Sequence, residues 1–169
     1  HGVMTAQLPL NSVELEAQGI NLAQQLPPRA TRGSVEIDGY VLATITIEPV
    51  GEHVGTALLV PGYTSSADTF NGLLQPLSER GYKVVSFSQR GQCLSEGPDD
   101  VAGYELSRLG KDIHEVIEKL GLGDQVHLLG HSFGGVVSTE AVLHNHSPFA
   151  SLTLWNSGPP VSNTHLTLP

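Results

Sequence analysis

The stretch 126-VHLLGHSFGG-135 decides how this chain reads. Residues 126–129 are a short, mostly apolar run that reads as a strand, and a helical pattern starts at Phe133. Between them Gly130, His131, Ser132, Phe133 and Gly134 satisfy G-x-S-x-G. A nucleophilic serine must stand on a tight strand-to-helix turn, exposed at the carboxyl edge of a sheet. A glycine two residues to either side lets strand and helix approach without side-chain collision. The helix N-terminus beneath adds backbone N–H groups directed at developing negative charge. With 19 glycines in the chain, the five-letter pattern alone is weak evidence, and a glycine-rich turn with an incidental serine is the plainer reading. The strand before it and the helix after it favour the nucleophile.

Upstream, Pro61, Gly62, Tyr63 and Thr64 follow another short apolar run, residues 56–60. In acyl transfer the oxyanion needs two N–H donors. One comes from the residue after the nucleophile, here Phe133. The other comes from a loop after an earlier strand, and Tyr63 is the best candidate. The plainer reading of this segment is a proline-glycine turn.

The rest of the chain alternates between strand and helix signals. Residues 34–38 and Tyr40–Ile47 flank Gly39 and predict a β-hairpin. Phe70, Leu73, Leu74 and Leu77 sit at helical spacing, and residues 83–87 predict a strand. Leu106, Leu109, Ile113, Val116, Ile117 and Leu120 mark one face of a helix closed by Gly121. Residues 152–155 predict a further strand. Residues 1–33 form a polar lead-in, with a helix expected over 13–25 and ended by Pro27-Pro28. This order predicts an α/β fold, a mostly parallel twisted sheet with helices on both faces.

Composition removes several classes of function. The 169 residues fit one domain. Eight Lys and Arg against 17 Asp and Glu give a net charge of −9, the opposite of a nucleic-acid-binding footprint. No apolar run reaches the roughly 18 residues of a spanning helix. The one cysteine, Cys93, excludes an intrachain disulfide and a thiolate-built metal site, and favours a cytoplasmic setting. No cofactor or metal is expected. The spacing His144-x-His146 is a weak metal pair, better explained as exposed histidines at a helix end.

Three motifs in order give the chain a specific likeness. Residues 56–64 resemble the third strand and oxyanion loop of the α/β-hydrolase family, with Gly62 in place and Pro61 where that family usually has histidine. The loop 88-SQRGQCLS-95 is similar to the family's D-x-R-G-x-G-x-S: Arg90, Gly91 and Ser95 match, Ser88 replaces the aspartate and Cys93 the second glycine. Residues 130–135 match the nucleophile elbow in full. Residues 34–160 thus resemble the first two-thirds of such a domain. The resemblance implies a serine hydrolase acting on an ester, thioester or related small-molecule carbonyl substrate through an acyl-enzyme on Ser132. An acyltransferase or haloperoxidase-like member and a non-catalytic binding protein are the alternatives. Epoxide hydrolases and haloalkane dehalogenases of the family carry aspartate at the elbow, and Ser132 speaks against both.

In this family the chain order is serine, then acid, then histidine. After Ser132 the chain offers Glu140, in mid-helix, and His144, His146 and His165. His144 and His146 are expected more than about 10 Å from Ser132, because the helix leaving the elbow carries them away at ~1.5 Å per residue. Residues 161–169 resemble a translated sequencing-library adapter, which implies a non-native tail and a chain cut near Pro160. The isolated chain is therefore expected to lack its base and be nearly inactive. Its sixth strand is expected to expose an uncovered edge around Leu152, Leu154 and Trp155. Its oligomeric state is not legible.

Overall fold

Asp38 and Gly39, at φ 54° and 81°, reverse the chain between β1 (Thr31–Ile37) and β2 (Tyr40–Ile47). Positive φ at both central residues is the hairpin turn that Asp-Gly favours, and Ile37 pairs directly with Tyr40. The computed structural model describes residues 25–155 and the backbone of residues 164–167. The helix expected over 13–25 lies outside the described residues, apart from its last position.

Four further strands supply the parallel part of the sheet: β3 (Gly55–Val60), β4 (Tyr82–Phe87), β5 (Val126–His131) and β6 (Phe149–Trp155). The order is β1-β2-β4-β3-β5-β6-β7, with β7 spanning Thr164–Thr167. The β4-β3-β5-β6 pairings are parallel, and the hairpin joins β4 antiparallel through β2. Three helices connect them: α1 (Asn71–Glu79), α2 (Leu106–Lys119) and α3 (Phe133–His144). Short 3-10 turns at Ala67–Phe70 and Val101–Tyr104 lead into α1 and α2. They are too brief to leave a periodic trace in the sequence.

The alternation of side chains along the strands divides the core into two layers. Ala57 and Leu59 face α1 and the 3-10 turn before it, where Phe70, Leu73, Leu74 and Leu77 are fully buried. Leu58 and Val60 face the opposite side, with Leu109, Ile113 and Val116 of α2 and Val137 and Ala141 of α3. The helices α2 and α3 touch closely at Gly110, where an added Cβ would lie 3.0 Å from Glu140 Cγ. The α/β sheet covered on both faces is as the sequence predicts.

Several details differ. β1 starts three residues earlier than expected, and β6 starts at Phe149 where Leu152 was expected. Ala150 and Ser151, one small and one polar, are both buried there, and Ser151 pairs with His127 of β5. The β6 edge is covered among the described residues, because Ser151–Leu154 pair antiparallel with Thr164–Thr167. Backbone pairing does not depend on side-chain pattern, so reading residues 161–169 as a tail hid this strand. No helix among the described residues is long and apolar enough to cross a membrane.

Candidate active site

The register of β3 against β5 places Val60 beside Gly130. Both strands run the same way, so the segments that follow them emerge side by side at the carboxyl edge. One is the 61–66 loop, the other the turn into α3. Ser132 sits on that turn at φ 56° and ψ −124°, backbone space that suits glycine and is strained for serine. Its N–H donates to Trp155 O at 2.8 Å, and its carbonyl accepts from Gly135 N at 2.8 Å. Its side chain is exposed.

Glycines make this crossing possible. A Cβ on Gly130 would strike Gly134 O and lie 2.6 Å from Gly135 Cα. A Cβ on Gly134 would strike Val60 O and lie 2.7 Å from Pro61 O. At Gly62 it would lie 3.3 Å from Ser132 Cβ and 3.4 Å from Phe133 N, so the loop backbone rests directly on the elbow. The rings of Tyr63 and Phe133 stack with centroids 4.1 Å apart. The structure thus sets Gly62 and Tyr63 beside Ser132 and Phe133 at the elbow.

His131 serves as packing. Its ring meets Phe70 and Trp155 edge-on at 6.3 and 5.9 Å. Its Nδ1 is buried with no protein partner, and burial pushes its pKa below the ordinary value, which favours a neutral ring.

The loop after β4 is knitted to its surroundings. Ser88, in place of the family aspartate, accepts from Ala67 N at 2.9 Å, and Ser95 Oγ donates to Ser88 O at 2.7 Å. Arg90 is buried and held by Asp112, Asp38 and Gly103 O, a structural anchor. Cys93 adopts φ 49°, the conformation its glycine counterpart would take without strain. Beside the 61–66 loop a cleft of about 740 Å³ is lined by Arg32, Thr64, Ser65, Asp68, Asn71 and Cys93.

His144 closes α3, about 18 Å of helix away from Ser132 by ~1.5 Å per residue, with its ring against His114. Among the described residues no side chain hydrogen-bonds Ser132, and no group of three His, Cys, Asp or Glu is placed to hold a metal.

A sequence profile of the α/β-hydrolase fold matches residues 57–168. The chain belongs to the α/β-hydrolase-fold family.

Its relatives in that family include proteins named as hydrolases, a peptidase and a probable oxidoreductase. Bifunctional epoxide hydrolase 2 of Sus scrofa is 32% identical over 130 residues, covering 73% of this chain and 23% of that protein. Proline iminopeptidase of Lactobacillus delbrueckii subsp. lactis is 39% identical over 94 residues, covering 53% of this chain and 32% of that protein. The crystal structure of epoxide hydrolase VrEH1 from Vigna radiata superposes with a TM-score of 0.68 at 25% identity, covering 75% of this chain and 40% of that one. The chain therefore spans well under half the length of each of these α/β-hydrolase relatives.

Motif reading missed Gln89, Gln92 and Asp112. Asp112 left a signal: it falls on the apolar face of α2, three residues after Leu109 and four before Val116, where a charge demands a partner. The two glutamines left none.

Proposed function

We propose that the complete protein is a serine hydrolase acting on a small ester, thioester or related carbonyl substrate through an acyl-enzyme on Ser132. The observation that carries this reading is Ser132 itself, exposed and held at φ 56° between β5 and α3 with Gly62 packed against it. Strain of this kind costs on the order of 1–3 kcal/mol and persists where the surroundings enforce it, as at catalytic turns. Ser132 Oγ attacks the carbonyl carbon while a base takes its proton. The oxygen becomes negative and is held by the N–H groups of Tyr63 and Phe133. The tetrahedral adduct collapses, the alcohol or thiol leaves with a proton, and water then releases the acid.

The base is a histidine later in the full-length chain, following the family order. The likeness to epoxide hydrolases supports the fold, while the serine at the elbow favours acyl chemistry over epoxide opening. The likeness to an iminopeptidase is consistent with a carbonyl substrate. A cytoplasmic setting belongs to the same proposal, on the ground of the single unpaired cysteine.

The test uses full-length protein, a chromogenic short-chain ester and a fluorophosphonate. The expected adduct lies on the peptide containing Ser132, and Ser132→Ala lowers ester turnover by at least about 10³-fold. Wild-type turnover by the alanine variant would overturn the mechanism.

A further inference from the structure

We propose that Gln89 and Gln92 are positioning residues: two side-chain amides from the loop after β4 grip the 61–64 backbone on either side of Tyr63. They hold the Tyr63 N–H in place beside Ser132. The inference rests on the acyl-enzyme reading of Ser132 and adds the question of what fixes its oxyanion donor.

The 61–64 segment has little to hold it by itself. Pro61 carries no N–H. The nearest backbone bond across the loop, from Ser65 N to Gly62 O, is long at 3.3 Å. The two firm attachments come from the glutamines. Gln89 Nε2 donates to Pro61 O at 2.9 Å from a fully buried position, and Thr64 N donates to Gln92 Oε1 at 2.8 Å. The partners set the direction of each amide, because a carbonyl only accepts and a backbone N–H only donates. Gln89 must present its nitrogen and Gln92 its oxygen. Between the two clamped residues the Tyr63 N–H has no hydrogen-bond partner among the described residues, which leaves it free for a ligand oxygen.

Strain points the same way. Thr64 is β-branched and sits at φ 58°. That conformation is costly for such a residue and needs compensation. The Gln92 acceptor on its N–H supplies some, and its Oγ1 donates to Tyr63 O at 2.6 Å. The base of the clamp does not move easily. Arg90, between the glutamines, is fastened to Asp112, and the loop closes on itself through Gly91 N to Glu96 O at 3.0 Å. Glu96 N and Ser95 Oγ tie it to β2 at Val41 O and Ala43 N. A rigid platform thus reaches out through two amides to a loop with few bonds of its own, the arrangement that preorganises a donor.

The test exploits the opposite polarity of the two amides, again in full-length protein with the chromogenic ester. Q92L removes the acceptor and is expected to lower kcat about tenfold, with KM changed by less than about twofold, because misplacing a donor weakens only transition-state binding. Q92E keeps a carboxylate oxygen facing Thr64 N and is expected to restore kcat to within about threefold of wild type. Q89E puts an acceptor against the Pro61 carbonyl and is expected to fall at least as far as Q92L. The rate of fluorophosphonate labelling at Ser132 should follow kcat. Thermal midpoints identify any variant that unfolds, and if Q89E does, the Q92L and Q92E pair decides alone. Wild-type kcat in Q92L, or equal losses in Q92L and Q92E, overturns the clamp. Activity surviving Ser132→Ala overturns the nucleophile reading instead, so the two failures are distinct.

Discussion

Arg90 and Asp112 meet as a two-pronged ion pair inside the fold, Nε to Oδ2 and Nη2 to Oδ1 both at 2.7 Å, with each side chain 2% exposed. Twenty-two residues separate them, and they tie the loop after β4 to α2. Arg108 adds a second cation to Asp112 at 3.1 Å, and Asp38 of the hairpin turn reaches Arg90 at 3.2 Å. Burial pushes the Asp112 carboxyl up from its ordinary pKa, and the two guanidiniums oppose that shift.

Removing one partner of this pair leaves the other charged and buried. Asp112→Ala is expected to destabilise by about 3–5 kcal/mol in urea titration. Arg90→Lys is expected to fail too, since an ammonium cannot make both parallel bonds. The double change to Met at 90 and Leu at 112 should recover much of the loss. A double variant as unstable as Asp112→Ala would show that the site needs the charge itself.

Gly134 and Gly121 should respond differently to alanine. At Gly134 the new methyl would run into Val60 O and Pro61 O, backbone atoms that cannot step aside. Gly134→Ala is expected to cost about 3 kcal/mol or more. Gly121 has φ 62° with nothing within 4 Å of an added Cβ, so only conformational strain applies, about 1 kcal/mol. Thermal midpoints that fall equally in both variants would contradict the contact at the elbow.

Ser132 stores strain that glycine would release. Ser132→Gly is expected to gain about 1 kcal/mol in denaturant stability while losing fluorophosphonate labelling. Ser132→Ala should lose labelling with no such gain, because alanine keeps the Cβ that makes φ 56° costly. A glycine variant less stable than wild type would remove the argument from strain.

His127 makes stability depend on mild acid. Its ring is buried in β5 with Nδ1 2.7 Å from Ser151 Oγ, and burial lowers its pKa below the ordinary 6.5; His131 shifts in the same direction. The unfolded chain takes up these protons near pH 6.5, whereas the folded chain resists them. The stabilisation is therefore complete above that value and is lost progressively as the pH falls from there to the folded pKa. Urea midpoints should drop between about pH 7.5 and pH 5.5, and His127→Gln should make the drop shallower. An identical slope in wild type and variant would refute the assignment to His127.

Local sequence determined what depends on near neighbours. The strand over residues 126–129 and the turn at Ser132 follow from a short apolar run and glycine spacing within ten residues. The buried face of α2 was likewise legible, since Leu109, Ile113 and Val116 repeat at helical intervals and all three are buried. The hairpin about Gly39 was readable from the sequence as well, although its turn also takes Asp38, expected in the strand. Tertiary structure alone decided which distant groups meet. Gly62 lies against Ser132 because the sheet order sets β3 beside β5. Arg90 finds Asp112, and Gln89 and Gln92 find Pro61 and Thr64, only after the β4 loop is laid across that edge. The β7 pairing with β6 uses backbone groups that every residue carries, so no side-chain pattern announces it. Periodicity encodes which side of an element faces the core. The partner of a polar side chain depends on how the elements are ordered in space, and that ordering is set by the packing of the whole sheet.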